Sequence, residues 1–305
     1  MSAHTYGVSG LILGSPMPLP FLSPAPPDAP VQVSLQFGPV PIPTTAPRLI
    51  TPALSVYGPR LAVVVTDFGL KARIEDGCRV LMEVPPGLSD SVRHTWLFGP
   101  VMVALLHQRG TPPLHASVVV LKDRAIALAG NGGSGKSSTA RTLMQRGARL
   151  MVDDQAIIDS LTHMVQPCFP LIKMWPHVAE MTGDRLDPGM PVEVGATRKL
   201  YMSVADQHYC SQPRPLAAVV LLEWDENAAA PRLERLTQPQ ASAALHQMIL
   251  RPSLAQVHDG GRTVFSWATR LAQGLPVFRL HRPNDATRVA EAAALVECLA
   301  EEVGG

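Results

Sequence analysis

Ala125-Ile126-Ala127-Leu128-Ala129-Gly130-Asn131-Gly132-Gly133-Ser134-Gly135-Lys136-Ser137 carries an apolar strand straight into a glycine-rich loop, and Ser137 to Arg146 continues as a helix that Gly147 stops. Gly130, Gly135, Lys136 and Ser137 satisfy the spacing G-x-x-x-x-G-K-[ST]. The physical reason for that spacing is phosphate. Glycines let the backbone curl so that successive N–H groups point at phosphate oxygens, the lysine reaches the outer phosphates, and the hydroxyl after it coordinates Mg²⁺. The helix start adds the positive end of its dipole. The expected phosphate-binding set is Gly130, Asn131, Gly132, Gly133, Ser134, Gly135, Lys136, Ser137 and Ser138, with ATP and Mg²⁺ as cofactors. A flexible Gly/Ser turn is the alternative, and the flanking strand and helix weigh against it.

Downstream, Arg149-Leu150-Met151-Val152 reads as a strand that ends in Asp153-Asp154. Nucleotide chemistry on such a loop needs an acid at the end of a neighbouring strand, to hold the metal or to accept a proton. Two adjacent carboxylates permit one of each, because side chains alternate in direction along a strand. An ordinary strand-ending turn is the blander reading, and the distance from the loop favours function.

Outward from this unit the chain has two textures. Val31 to Phe37 alternates with period two, Leu61 to Val65 follows a Tyr57-Gly58-Pro59 turn, and Phe68 to Ile74 and Arg79 to Val84 flank Glu75-Asp76-Gly77. Residues 1–90 therefore read as a β-rich, proline-rich region, expected to be a small antiparallel unit. Residues 91–305 read as an α/β catalytic domain with a mixed sheet. In it Trp96 to Gln108 is expected as one helix, with strands at Ala116 to Leu121, Leu171 to Trp175, Lys199 to Val204 and Leu216 to Leu222, and helices at Ser242 to Ile249 and Ala286 to Glu301.

Composition excludes several classes. Net charge is +1 across 305 residues, so no global field attracts nucleic acid or an anionic membrane. Four scattered cysteines lack metal-ligand spacing and read as reduced thiols. No leader pattern opens the chain and no apolar run is long enough to span a bilayer, so a cytoplasmic protein without membrane or nucleic-acid partners is expected.

The segment resembles the catalytic domain of the HPr kinase/phosphorylase family, in which a histidine-bearing strand precedes the loop and an Arg-Leu-x-x-Asp-Asp run follows its helix. His115-Ala116-Ser117, the loop, and Arg146-Gly147-Ala148-Arg149-Leu150-Met151-Val152-Asp153-Asp154 occupy those places. Leu97-Phe98-Gly99-Pro100, Leu105 to Gly110, Tyr6-Gly7-Val8 with Pro18-Leu19-Pro20, and Phe169 to Pro176 look like the HPr-kinase-like serine kinases of lasso-peptide systems. The resemblance implies an HPr-kinase-like fold and transfer of the γ-phosphate to a serine of a peptide or protein, in some members a precursor peptide. It implies Asp153 as general base, His115 beside it, Lys136 as a catalytic cation, and Asp154 with Ser137 at the metal. Homo-oligomers also occur in that fold. Ser138 stands where bifunctional members usually carry Glu, and the later segment tied to the reverse reaction is missing, so a one-way kinase is expected.

Other readings stay open on the residues alone: a kinase of small alcohols, or a nucleotide-binding regulator without transfer. His115 also fits a buried strand histidine satisfied by the backbone. Lys173 beside Trp175 is expected to snorkel to solvent more readily than to meet phosphate. Arg198 and Lys199 suit either transition-state charge or plain surface. Arg251 and His281 carry no assigned role.

Overall fold

A computed structural model describes residues 4–193 and 199–303 of the chain. Arg198 lies outside the described residues. The fold is mixed α/β, with two large sheets and a short ribbon.

The first sheet takes β1 His4–Val8, β2 Leu11–Ser15, β3 Val33–Phe37, β4 Leu49–Thr51, β5 Leu54–Gly58, β6 Leu61–Val65, β7 Lys71–Glu75 and β8 Arg79–Glu83. Their order is β1-β2-β3-β8-β7-β6-β5-β4. It is larger than the small unit expected and not wholly antiparallel, because β3 runs parallel to both β2 and β8. The long proline-rich connections on either side of β3 permit those crossings, which a hairpin cannot make. β7 and β8 form the expected hairpin, with Asp76 and Gly77 at positive φ (56° and 65°).

Between the sheets, α1 Asp90–Trp96, a π-type turn Leu97–Val101 and α2 Met102–Gln108 replace the single helix expected from Trp96 to Gln108. Gly99 leaves helical geometry (φ −97°, ψ −108°), and Pro100 removes an amide donor and crowds the preceding turn.

The second sheet is built from β9 Leu114–Leu121, β10 Arg124–Ala129, β11 Arg149–Val152, β12 Gln155–Ile158, β13 Met164–Gln166, β16 Arg214–Trp224, β17 Arg232–Arg235 and β18 Val277–Arg282, while β14 Leu171–Met174 and β15 Leu200–Ser203 pair as the ribbon. β10 lies antiparallel to β9 and parallel to β16, and β16 lies parallel to β18. α3 Lys136–Gln145, α4 Pro176–Thr182, α5 Gln238–Gln247, α6 Ser253–Asp259, α7 Arg262–Gly274 and α8 Val289–Glu302 complete the fold.

Strand periodicity assigns the two faces of this sheet. Ile126 and Leu128 of β10, with Val220 and Leu222 of β16, face Ala140 and Leu143 of α3 and Ala292, Val296 and Leu299 of α8. Ala125, Ala127 and Ala129 face the opposite way, into a core shared with α2, α5, α7 and the first sheet. The residues buried on both faces explain why β10 and β16 read as unbroken apolar runs. That second core runs continuously from Tyr6 to Val277, so the change of texture near residue 90 is a change of sheet within shared packing. Among the described residues, no helix is long and apolar enough to cross a membrane.

Candidate active site

The loop from Gly130 to Gly135 joins the end of β10 to the start of α3. Gly130, Gly133 and Gly135 take positive φ values of 149°, 81° and 83°. At Gly130 a Cβ would stand 2.6 Å from Ser134 Oγ and 2.8 Å from the Leu222 carbonyl oxygen, so only glycine fits there. Lys136 is buried at the helix start, and its Nζ donates to the carbonyls of Gly130 (2.9 Å) and Asn131 (3.2 Å). Burial lowers the Lys136 pKa, against the pull of Asp154 and Asp153. This ammonium is thus held at the loop's mouth by neutral oxygens, while the loop curls around it.

β11 delivers the acids. Its register on β9 shifts between Leu150 and Val152, and Asp154 then adopts φ 85°. Strand alternation would have sent Asp153 and Asp154 to opposite sides. The left-handed residue turns both toward one cavity of about 590 Å³, which also takes in His115, Lys136, Ser137, Ser138 and Lys173. Gly132, Gly133 and Gly135 line it as well, whereas Gly130, Asn131 and Ser134 do not.

The two carboxylates have separate partners. Asp153 is buried, and its Oδ1 accepts from Ser117 Oγ (2.7 Å) and Ser137 Oγ (3.0 Å), while Oδ2 accepts from the Lys173 amide (2.8 Å). Asp154 meets Lys173 Nζ at 2.7 Å and His115 Nε2 at 3.2 Å. Burial alone would raise the Asp154 carboxyl, but Lys173 and His115 outweigh it and hold the group well below the usual carboxylate range. Burial likewise opposes the charge on Lys173, and Asp154 outweighs it, so the ammonium titrates above its ordinary range.

Three expectations meet this geometry. His115 is not a backbone-satisfied core histidine; it contacts a carboxylate in the cavity. Lys173 does not snorkel to solvent, because Asp154 draws it inward. The hydrogen bonds join Ser137 to Asp153, whereas the resemblance paired Ser137 with Asp154. Lys199 lines the cavity with its Nζ 5.2 Å from the centre of the Trp175 ring. His281 pairs with Glu234 (2.8 Å) and Arg251 donates to Thr51 Oγ1 (3.0 Å), both away from the cavity.

Other side chains of the site were missed. Ser117 shares the His115 side of β9 and anchors Asp153; polar residues at i and i+2 of an apolar strand were the available signal. Arg282 and Trp224 also line the cavity, at the ends of β18 and β16. Arg282 continues the side of β18 that carries Phe278 and Leu280, where an arginine is out of place in a purely structural strand.

These residues fit a nucleotide polyphosphate with Mg²⁺. Ser134 Oγ is buried without a partner among the described residues, a Cβ would collide with its neighbours at Gly130 and at Gly135, and Lys136, Lys173, Lys199 and Arg282 make the cavity cationic. Among the described residues no group of three or more His, Cys, Asp or Glu is arranged to hold a metal unaided. Mg²⁺ does not require one, since it keeps several waters and takes one or two protein ligands beside the phosphates. Ser137 and Asp153 offer a hydroxyl and a carboxylate in contact.

Breaking the Lys173–Asp154 pair has a pH signature. Asp154 is depressed in the folded state, so its contribution is present above its unfolded pKa of about 3.9 and fades as pH falls through the folded value. Lys173 is raised, so its contribution holds below about 10.4 and is lost as pH rises through the folded value. Lys173→Met is expected to destabilise the fold by about 2 kcal/mol between those limits, more than an exposed pair and less than a fully buried one. Urea denaturation of wild type and variant should show that difference narrowing at the acid end.

No protein-family model matches the chain, and no curated protein is similar to it at a significant level. Among solved structures it is similar to the HPr(Ser) kinase/phosphatase from Coxiella burnetii, with 13% identity and a TM-score of 0.32, over 62% of this chain and 88% of that one. So distant a likeness carries no argument about activity, which rests on the side chains of this chain.

Proposed function

We propose that the protein is a Mg²⁺- and ATP-dependent kinase that transfers the γ-phosphate to the serine hydroxyl of a peptide or protein. One observation carries the reading: a glycine cradle with its lysine, a Ser–Asp pair suited to a metal, and a second carboxylate held by His115 and Lys173 converge on one cavity. Nucleotide binding alone needs the first two. The third is what a transfer reaction adds.

The loop amides and Lys136 would hold the phosphates, and Ser137 with Asp153 would hold the metal. Bound Mg²⁺ would neutralise charge on the phosphate oxygens. The serine Oγ forms a bond to the γ-phosphorus, the bond from that phosphorus to the β–γ bridging oxygen breaks, ADP leaves, and the hydroxyl proton passes to a carboxylate. Exposure favours Asp154 for that proton: both oxygens of each carboxylate have partners, but Asp153 is buried whereas the Asp154 side chain is half-buried and opens to the cavity. A carboxylate held low is a weak base, which a loose phosphoryl-transfer transition state tolerates.

Incubation with γ-labelled ATP and separate pools of serine-bearing peptides and small alcohols tests the reading. Label is expected as phosphoserine in the peptide pool. Label confined to a small alcohol would overturn the acceptor class, and binding without any phosphorylated product would leave a nucleotide-binding regulator.

A further inference from the structure

The guanidinium of Arg282 is an unusual presence beside the loop. The residue is 4% exposed and lies 3.9 Å from the centre of the Trp224 ring. It donates from Nη2 to the Ser134 carbonyl and from Nη1 to Thr139 Oγ1 (3.3 Å), and its Nε is buried without a partner. Among the described residues its bonded partners are therefore neutral, and burial pushes its pKa down to about 10. A buried cation with no bonded counter-anion is costly unless an anion arrives. The loop is shaped around this group: a Cβ on Gly135 would overlap the Arg282 guanidinium. Trp224 adds a second tie, donating from Nε1 to the Gly133 carbonyl (3.2 Å).

In a trans peptide the C=O and the following N–H point in opposite directions. Holding the Ser134 carbonyl against Arg282 therefore turns the Gly135 N–H away from the guanidinium. We propose that Arg282, held flat by Trp224, is a positioning residue that fixes the Ser134–Gly135 peptide in its phosphate-binding orientation and supplies the buried positive charge that a nucleotide polyphosphate neutralises. This rests on the cavity being a nucleotide site.

Calorimetric titration of ADP and of inorganic pyrophosphate, each with Mg²⁺, into wild type, Arg282→Lys and Trp224→Phe tests it, alongside ligand-free melting. Lysine keeps the charge and loses the planar fork, so both ligands are expected to bind about tenfold more weakly to Arg282→Lys. Trp224→Phe keeps the stacked ring and loses one donor, so a loss of about threefold is expected. In a transfer assay the lysine variant should raise KM for ATP with little change in kcat. Wild-type affinity in Arg282→Lys would overturn the proposal, and so would a loss of affinity matched by a lowered ligand-free melting temperature. If wild type bound neither ligand, the nucleotide reading itself would fall; retained wild-type binding with an unaffected lysine variant would sink only the role of Arg282.

Discussion

Lys136→Ala is expected to reduce phosphoryl transfer by at least about 10³-fold, the scale of removing one preorganised charge from a developing oxyanion. The size follows from where the ammonium sits. Lys136 is buried, its Nζ rests on two carbonyls of its own loop, and it fills the mouth of the cradle formed by Gly130, Gly133 and Gly135. Moving it from those neutral oxygens onto phosphate exchanges dipoles for full negative charge in a shielded place, where the interaction is stronger than in water. The fold should tolerate the change, because Lys136 opens the helix and the apolar contacts of α3 come from Ala140, Leu143 and Met144. Circular dichroism should then match wild type while transfer is lost, and ATP titration should show weaker binding. Transfer surviving in this variant would remove the loop from the mechanism.

The second large effect separates the two acids. Asp154→Asn is expected to lower transfer by about 10²–10⁴-fold, the usual range for a general base, while ADP binding changes little. Asp153→Asn is expected to act through the metal: the amide is a poorer oxygen ligand, so the Mg²⁺ concentration for half-maximal rate should rise. It also disturbs three hydrogen bonds, from Ser117, Ser137 and the Lys173 amide, so some loss of stability should accompany it. Rates measured across a Mg²⁺ series distinguish the two. If Asp153→Asn lost transfer at unchanged Mg²⁺ dependence, and Asp154→Asn shifted that dependence, the roles would be those implied by the family resemblance.

What the sequence showed of this site was its local part. The strand, the glycine loop and the helix are contiguous, so spacing alone located Gly130 to Ser137, and the apolar run ending in Asp153-Asp154 located the acids. Their convergence was less legible. It depends on a register shift in β11 and a left-handed Asp154, neither of which the residue types announce, since aspartate occupies that region only occasionally. Trp224 and Arg282 come from strands far from the loop in the chain, and parallel pairing of β10, β16 and β18 is what brings their ends beside it, while antiparallel pairing sets Ser117 of β9 opposite Leu128. Lys173 was misjudged for a similar reason: its partner lies 19 residues away, in the bend between β11 and β12. In the fold, Pro100 within an apolar run was a visible sign of a broken helix. α7 was absent from the expected elements although Val264, Trp267, Ala268 and Leu271 carry the i, i+3, i+4, i+7 spacing and are buried together. The parallel neighbours of β3 had no local signal, because crossovers are set by pairing across the sheet.

The central claim is that this cavity moves a phosphoryl group from ATP to a serine. The most direct measurement is phosphorus NMR of the purified chain with MgATP and a serine-bearing acceptor peptide, run in parallel with Lys136→Ala. Loss of the γ signal matched by a phosphoserine monoester signal, in the wild type and not in the variant, is the expected result. Conversion of ATP to ADP and inorganic phosphate alone, or an unchanged spectrum while ATP is shown to bind, would contradict it.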